Sequence, residues 1–510
     1  MLAGKQLVDM RTRDALRNDG HLQSGSNIHK DGIVGSMFLL NAKPETKILF
    51  GKADDAWEEE FQEETEAKFT LAAESPNCWF DAAGSQTLTG LIRLALGIYT
   101  QTGEVLATAE WLRGKPRPFS TAIQMVDLDR LQNPFGIDGV TGSLDGRIVR
   151  GGVHQDSRGA PIGYYIRNAH PADYDRFQDV NEFTYVPVKK PWGRRQVIHI
   201  KEQFRASQSR AVADIVASLK EIKITKKFRD ITLQQAVVQA MYAASIESDL
   251  PPEAAYAAMG VGQGGAGLAV AKYGTEYLKA VAKFVGPKGL TIDNVKIPHF
   301  FPGTRLNLRN SGAPGGVGQE FEQSLLRYIA STLGVSYEQL SKDYSKTNYS
   351  SARAALTETW KFQQSRKRHV ADKMASMIYM LWFEEQMNKG GLETMKFSKA
   401  PNFYDGLNAE AYCNAEWIGA ARGQIDELKE TQAAVLRLTG GLSTAEDELA
   451  RFGRDWRKVY KQLAREQAMR KELNLVFSAD AQNQLNAVSG TPQSADDEEN
   501  GTKQNDKRAA

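Results

Sequence analysis

The stretch Val317-Gly-Gln-Glu-Phe-Glu-Gln-Ser-Leu-Leu-Arg-Tyr-Ile-Ala-Ser-Thr-Leu333, followed by Gly334-Val-Ser-Tyr-Glu-Gln-Leu340, decides how the whole chain is read. Val317, Phe321, Leu325, Tyr328, Ile329 and Leu333 recur at the spacing of one helical face, and Gly334 supplies the left-handed residue that ends such a helix. At about 1.5 Å per residue this helix is about 25 Å long. Behind it lies a polar segment, residues 335–349, and then an unbroken helical pattern from 350 to about 389, with Ser350 or Ser351 as its natural N-cap. Ahead of it, residues 206–248 contain neither Gly nor Pro. There Ala211, Ile215, Leu219 and Ile222 mark one helical face that continues through Ile231, Val237, Val238 and Met241. Pro251-Pro252 ends that pattern. Between the two helices, residues 250–312 are turn-rich, with five glycines from 260 to 267, a short helical pattern around 269–284 and strand-like runs at 294–301 and 304–308. They form a small insertion.

Outward from that centre the first 200 or so residues are mixed. A polar amphipathic segment at 55–69, a helix candidate at 88–99 and an alternating run at 105–112 predict α+β structure. Extended runs flank the turn Asp156-Ser-Arg-Gly159, and two more lie at 183–188 and 196–200. Toward the other end, Ser443-Thr-Ala-Glu446 is a capping box that opens a charged helix running to about residue 475. Past 479 the Gln, Asn, Ser, Asp and Lys content predicts a disordered tail.

At 510 residues the chain exceeds a single core, which stops growing near about 250–300 residues. Hydrophobic residues at 41% and charged residues at 25% are those of a water-soluble globular protein. The 64 Lys plus Arg nearly cancel 62 Asp plus Glu, which argues against a strongly basic DNA-coating protein. Two cysteines, Cys78 and Cys413, build neither a disulfide scaffold nor a thiolate zinc site. The first residues lack the apolar stretch of a signal peptide and no window approaches a membrane span, so a cytoplasmic, soluble product without membrane partners is expected.

Enzyme signatures fail in turn. Gly262-Gln-Gly-Gly-Ala-Gly267 has the spacing of a dinucleotide loop, but no buried strand precedes it. No phosphate-binding Gly-x4-Gly-Lys-Ser/Thr loop, His-Glu-x-x-His pair or Gly-x-Ser-x-Gly elbow occurs. The seven histidines are scattered and expected at the surface or half-buried, with no metal or cofactor assigned. Basic clusters at Lys189-Lys190, Arg194-Arg195, Lys223 to Arg229 and Arg366-Lys-Arg368 are expected on solvated faces, with Asp214, Glu221, Asp230, Glu358 and Asp372 as partners. Lys342, Tyr344, Lys346, Asn348 and Tyr349 differ, because they sit on a loop between two helices, where side chains project.

The order of helix, small insertion, returning helix, polar loop and long helix resembles the phage portal proteins of the lambda family. The residues that carry the resemblance are Phe321-Glu-Gln-Ser-Leu-Leu-Arg-Tyr-Ile-Ala330, Leu333-Gly-Val-Ser-Tyr-Glu-Gln-Leu340 and Asn348-Tyr-Ser-Ser-Ala-Arg353. Met241-Tyr-Ala-Ala-Ser-Ile-Glu-Ser248, Asp31-Gly-Ile-Val-Gly-Ser36, Gly163-Tyr-Tyr165, Trp417-Ile-Gly419, Ile425-Asp-Glu-Leu-Lys-Glu430 and Gly441-Leu-Ser-Thr444 match as well. The likeness runs from about residue 10 to 470 and is expected to depart at the start, where the family often carries a long leader.

The resemblance implies a multi-domain α+β portal fold that assembles as a ring of twelve at one capsid vertex and is not an enzyme. It implies a wing at 1–204 and 350–415, stem helices at 205–249 and 314–333, a clip at 250–313, a channel loop at 334–349, a crown at 416–475 and a tail at 476–510. Expected partners are other copies of the chain, double-stranded DNA bound without sequence preference, the terminase large subunit, the major capsid and scaffold proteins, and a head-completion or adaptor protein. The expected location is the virion, after assembly in the host cytoplasm. Duplex DNA carries a phosphate about every 1.7 Å of axis, so a stem of about 25 Å encloses roughly fifteen charges. Rings of lysine along it would grip the duplex, whereas a near-neutral chain with a few loop lysines lets it slide. Lys342 and Lys346 are therefore expected to touch DNA weakly, and the stripe from Val317 to Leu333 to pack between subunits. The competing readings are a metal-dependent DNA-processing enzyme with dispersed carboxylates and an adaptor subunit of some other ring.

Overall fold

The computed structural model describes residues 4–113, 116–134, 142–144, 147–173, 181–241, 291–292, 295–296, 317–396, 400–421, 423 and 426–473. The glycine-rich run 260–267, the helical pattern at 269–284, most of the expected insertion and the tail lie outside them.

Two helices not anticipated from the sequence open the chain, α1 (Lys5–Asn18) and α2 (Gly20–Ile33). Asp19 separates them, its carboxylate accepting from the backbone N–H groups of His21 (3.0 Å) and Leu22 (3.1 Å), which is how an N-cap starts a helix. Strand β1 (Leu39–Ala42), α3 (Thr46–Phe50), α4 (Asp55–Ala73), α5 (Leu88–Thr102), β2 (Glu104–Trp111) and β3 (Thr121–Val126) follow, so all three segments expected at 55–112 are present.

A five-stranded antiparallel sheet comes next: β4 (Gly142–Leu144), β5 (Arg147–Arg150), β6 (Val153–Gln155), β7 (Pro161–Arg167) and β8 (Phe183–Pro187). The β6–β7 hairpin turns at the expected place, where Asp156 Oδ1 accepts from Arg158 N (2.9 Å) and Ala160 N (2.7 Å). Gly163 in β7 has no room for a side chain, because the Tyr185 ring from β8 covers it and an added Cβ would lie 2.3 Å from the phenol oxygen. Strand β9 (Val197–Lys201) returns to pair with β2, giving a second sheet of order β3-β2-β9.

Residues 206–213, expected to be helical, are not. Ala211 N donates to Glu104 Oε2 (3.0 Å), a use of the backbone that a helix would forbid, and the Arg210 side chain donates through Nε to Glu104 Oε1 (2.7 Å). Helical structure begins with a 3-10 turn at Asp214–Ser218 and continues as α6 (Leu219–Met241). Beyond a short hairpin, β10 (Thr291–Ile292) with β11 (Val295–Lys296), comes α7 (Val317–Leu333), which ends at Gly334 with φ of 68° as expected. Part of the expected polar loop is a short half-buried helix, α8 (Tyr337–Ser341), anchored by Leu340 and opened by a Ser336/Gln339 capping box.

The long helix is continuous but not uniform: α9 (Tyr349–Arg366), a π turn at Lys367–Asp372, and α10 (Lys373–Lys389). Its N-cap is Asn348 rather than Ser350 or Ser351, and Ser351 serves as the reciprocal partner three residues on. Helix α10 is the centre of the main core, with Met374, Ile378, Tyr379, Trp382 and Phe383 buried against Phe61, Phe69 and Phe80. After α11 (Asn408–Tyr412), strand β12 (Ala415–Ile418) pairs antiparallel with β1, so Trp417 joins that core and stacks on Phe38. The last helices are α12 (Glu427–Thr439), α13 (Ala445–Arg451) and α14 (Trp456–Glu472). The expected single charged helix is thus two. Its capping box is Thr444 with Asp447, and Gly453 (φ 69°) breaks it before Asp455 caps α14. No helix among the described residues is long and apolar enough to cross a membrane, and both cysteines are free and buried.

Glu104 is fully buried and holds three cations: Arg210, Lys5 Nζ at 3.2 Å and, when protonated, His199 at 3.2 Å. Burial alone would raise its pKa, but Arg210, His199 and Lys5 outweigh that and hold it well below the usual carboxylate range. Glu104→Gln leaves Arg210 and Lys5 buried beside a neutral group, so the chain should lose stability at the lower end of about 3–5 kcal/mol in urea unfolding, with Glu104→Asp falling between.

Candidate functional site

The expected channel residues gather on one exposed loop, residues 342–348, shorter than the 334–349 read from the sequence. Lys342 ends α8 in the left-handed conformation (φ 59°). Asp343 accepts from Ser345 N (3.0 Å) and Oγ (2.6 Å), bonds that hold its carboxyl below its ordinary range, and Thr347 N closes a turn on Tyr344 O. Lys342, Tyr344 and Lys346 are exposed, and among the described residues neither lysine is in an ion pair. Asn348 is occupied as the cap of α9, its Oδ1 accepting from Ser351 N at 2.8 Å. Tyr349 starts that helix and is 47% exposed.

Both ends of the loop are pinned by residues the sequence did not single out. On the near side His29, from α2, bonds the Leu333 carbonyl at the end of α7 (2.7 Å), and His21 contacts the Leu340 carbonyl (3.3 Å). The Gln339 side chain accepts from Ser336 N and from Thr359 Oγ1 (2.8 Å), fastening α8 to α9. The Phe362 ring sits where a Cβ on Gly334 would be, at 2.7 Å, so this cap needs glycine for space as well as for its positive φ. Scattered polar residues gave no signal for this; only the Gly334 cap was readable.

The expected subunit-packing stripe divides. Ile329 and Leu333 are buried in the chain's own second core with Leu22, Ile215, Ile222 and Leu326, and so are not free for a neighbour. Phe321 (45% exposed) and Tyr328 (49% exposed) remain outward-facing, Leu325 is half-buried, and the Val317 side chain lies outside the described set. Phe321 meets Phe228 of α6 edge-on at 5.4 Å.

The expected solvated basic clusters are partly structural. Arg194 is buried on Glu384, with Trp111 5.1 Å from its guanidinium; Arg366 pairs with Asp214 and Lys367 with Asp372 (2.7 Å). His29 and His199 are buried rather than superficial. Among the described residues one group has metal-ligand types within reach, Asp127, Asp129 and His170. Arg13 already holds both Asp129 oxygens (2.6 and 2.7 Å), filling the place of a cation.

Residues 1–367 match the family model described as phage portal protein, lambda family. The chain belongs to the lambda family of phage portal proteins. It is 34% identical over 465 residues to the portal protein of Escherichia phage N15, covering 91% of this chain and 84% of that one. To portal protein B of Escherichia phage lambda it is 33% identical over 466 residues, with the same coverage. A solved chain from the virion of a native gene transfer agent particle is 11% identical, with a TM-score of 0.41, covering 89% of this chain and 99% of that one. The assignment rests on the two sequence matches. The chain is therefore a portal protein of a tailed phage, a structural part of the virion, and the DNA-processing alternative is not favoured.

Burial foremost, and then the charge of Arg366, lower the pKa of His29 from 6.5 to about 4. The folded chain thus refuses a proton that the unfolded chain accepts below about 6.5, so this contribution is complete at neutral pH and declines as pH falls toward 4. The loss amounts to about 3 kcal/mol. His29→Gln keeps a donor for Leu333 without titrating, and urea unfolding between neutral pH and pH 4 should show the parent losing about that much more than the variant; equal losses would contradict the assignment.

Proposed function

We propose that copies of this chain close a ring of twelve at one capsid vertex, through which a terminase large subunit drives double-stranded DNA and through which the genome leaves. The wing comprises residues 4–204 with 350–418, moved forward from 415 because β12 is part of the main core. The stem comprises 214–241 and 317–333, the clip 250–313 and the crown 426–473. The observation that carries the reading is the loop 342–348, between the short helix α8 and the long α9, which presents two exposed lysines, in no ion pair among the described residues, and a tyrosine from a base held by His29 and by the Gln339–Thr359 bond. A short loop charge repeated round a ring touches phosphates without coating the passage, which suits a duplex that must move. The exposed pair Phe321 and Tyr328 supports packing of the stem against a neighbouring copy. The clip is proposed to take terminase during packaging and a head-completion or adaptor protein afterwards, and the outer wing to meet capsid and scaffold proteins.

Lys342→Ala with Lys346→Ala should leave rings intact in negative-stain images while changing the amount of DNA packaged or retained; wild-type packaging and retention together would overturn the DNA-contact role. Phe321→Ser with Tyr328→Ser should shift native mass from rings toward smaller species, leaving the urea midpoint of the chain near its original value. Ile329→Ala should do the reverse, costing about 2–5 kcal/mol of chain stability as a buried large-to-small change.

A further inference from the structure

The three C-terminal helices are attached to the body in an unusual way. None of the chain's three apolar cores includes a described residue beyond Trp417. Helix α14 has no buried residue at all, α13 buries only Glu448 and α12 only Ala434. What joins them to the body is a charged seam. Helix α4 carries seven acids and one lysine, while α14 carries six basic residues and two acids. Across it, Arg457 bonds the Gln62 side chain and lies 3.7 Å from Glu66, and Lys461 pairs with Glu63. Beside it, Glu446 of α13 takes Asn41 Nδ2 (2.6 Å) and Lys43 Nζ (3.1 Å) from the end of β1. On the other flank a cleft of about 140 Å3, lined by Tyr349 and Arg353 of α9 and by Ala433, Arg437 and Phe452, separates the unit from the start of the long helix.

The unit itself is braced internally. Glu448 receives both arms of Arg437 (2.8 Å each) and Arg451 (3.0 Å), and Arg437 foremost lowers its carboxyl to about 2. The chain enters the unit past Gly419, which is fixed on the body, since a Cβ there would lie 2.3 Å from the Ile33 carbonyl oxygen.

We propose that residues 427–472 form an arm fastened to the wing by a salt-labile electrostatic seam, Arg457 and Lys461 on α4 with Glu446 on Lys43 and Asn41, and that when the seam parts the arm leaves the wing and α14, deprived of its partner, frays while the core keeps its structure. Exposed ion pairs such as Lys461 with Glu63 are weak and screened by salt, and the apolar residues of α14 beside them, Trp456 and Val459, are only half-buried. The cleft beside Tyr349 keeps the arm apart from the first turn of α9, so the seam on α4 and β1 is what holds it.

Hydrogen exchange of the full chain tests it directly. Raising salt from about 0.1 M to about 1 M shortens the Debye length from about 10 Å to about 3 Å. Amides of 457–472 should then exchange on the order of tenfold faster, a factor that corresponds to about 1.4 kcal/mol, while those of 373–389 stay protected. Glu63→Gln with Lys461→Gln should bring that faster exchange at low salt. Exchange of 457–472 that ignores both salt and the substitutions, or that accelerates only together with 373–389, would overturn the proposal. Loss of DNA packaging in the loop variant bears on the portal reading alone and leaves this outcome untouched.

Discussion

One fully buried carboxylate, Glu104, governs how the parts of this chain meet. Its position at the first residue of β2 places a negative charge where water does not reach, and such a charge persists only if cations and donors surround it. They come from three distant places: Lys5 in the first helix, His199 on the neighbouring strand, and Arg210 with the Ala211 amide on the approach to α6. Arg210 also donates to the Leu131 and Gly151 carbonyls (2.8 and 2.9 Å), bringing the five-stranded sheet into the same knot. The chain around Arg210 is therefore not helical, and α6 starts only after Asp214. Asp214 in turn receives Arg366 at the π turn of the long helix, whose guanidinium lies over Tyr99 (5.0 Å) and Phe362 (4.8 Å). Phe362 covers Gly334, so the end of α7 is reached from Glu104 through a continuous series of contacts.

Much of this architecture was legible where periodicity and caps speak for themselves. The stripe from Phe321 to Leu333, the stop at Gly334 and the turn at Asp156 follow from local rules and stand in the structure. Segments whose form depends on a distant partner were not legible. Residues 206–213 have a helical pattern and no breaker, yet Glu104, more than 100 positions earlier, requires their backbone for itself. The α8 helix hides in a polar segment because its burial rests on Val335 and Leu340 alone, while its polar residues serve the capping box and Gln339–Thr359. Strand β12 was readable only as a motif, since its partner β1 lies almost at the other end of the chain.

The site shows the same division. The loop lysines could be named from their position between helices, but the means of holding them could not. His29 looks like any of seven scattered histidines until α2 is seen to lie against the end of α7. The stripe is a helical face, and Ile329 and Leu333 on it are taken by the chain's own core, while Phe321 and Tyr328 stay exposed.

That division bears on how far the loop can reach. With α8 folded and fixed by His21 and Gln339, only residues 342–348 are available to project. A chain of seven residues spans at most about 25 Å, and a loop that leaves and returns extends about half of that from its base. A loop spanning all of 334–349 would reach about twice as far and wander more, presenting its lysines over a diffuse volume. The shorter loop keeps them close to the end of α8, and in the proposed ring their repetition would give a narrow belt of charge. On the proposed function, a duplex passing such a belt would exchange one set of phosphates for the next with little change in energy at each step, because the contact is short compared with the roughly fifteen charges along a 25 Å stem. Weak charge, short reach and a firm base are thus one property of the fold, set by the residues that pin α7 and α8 rather than by the lysines themselves.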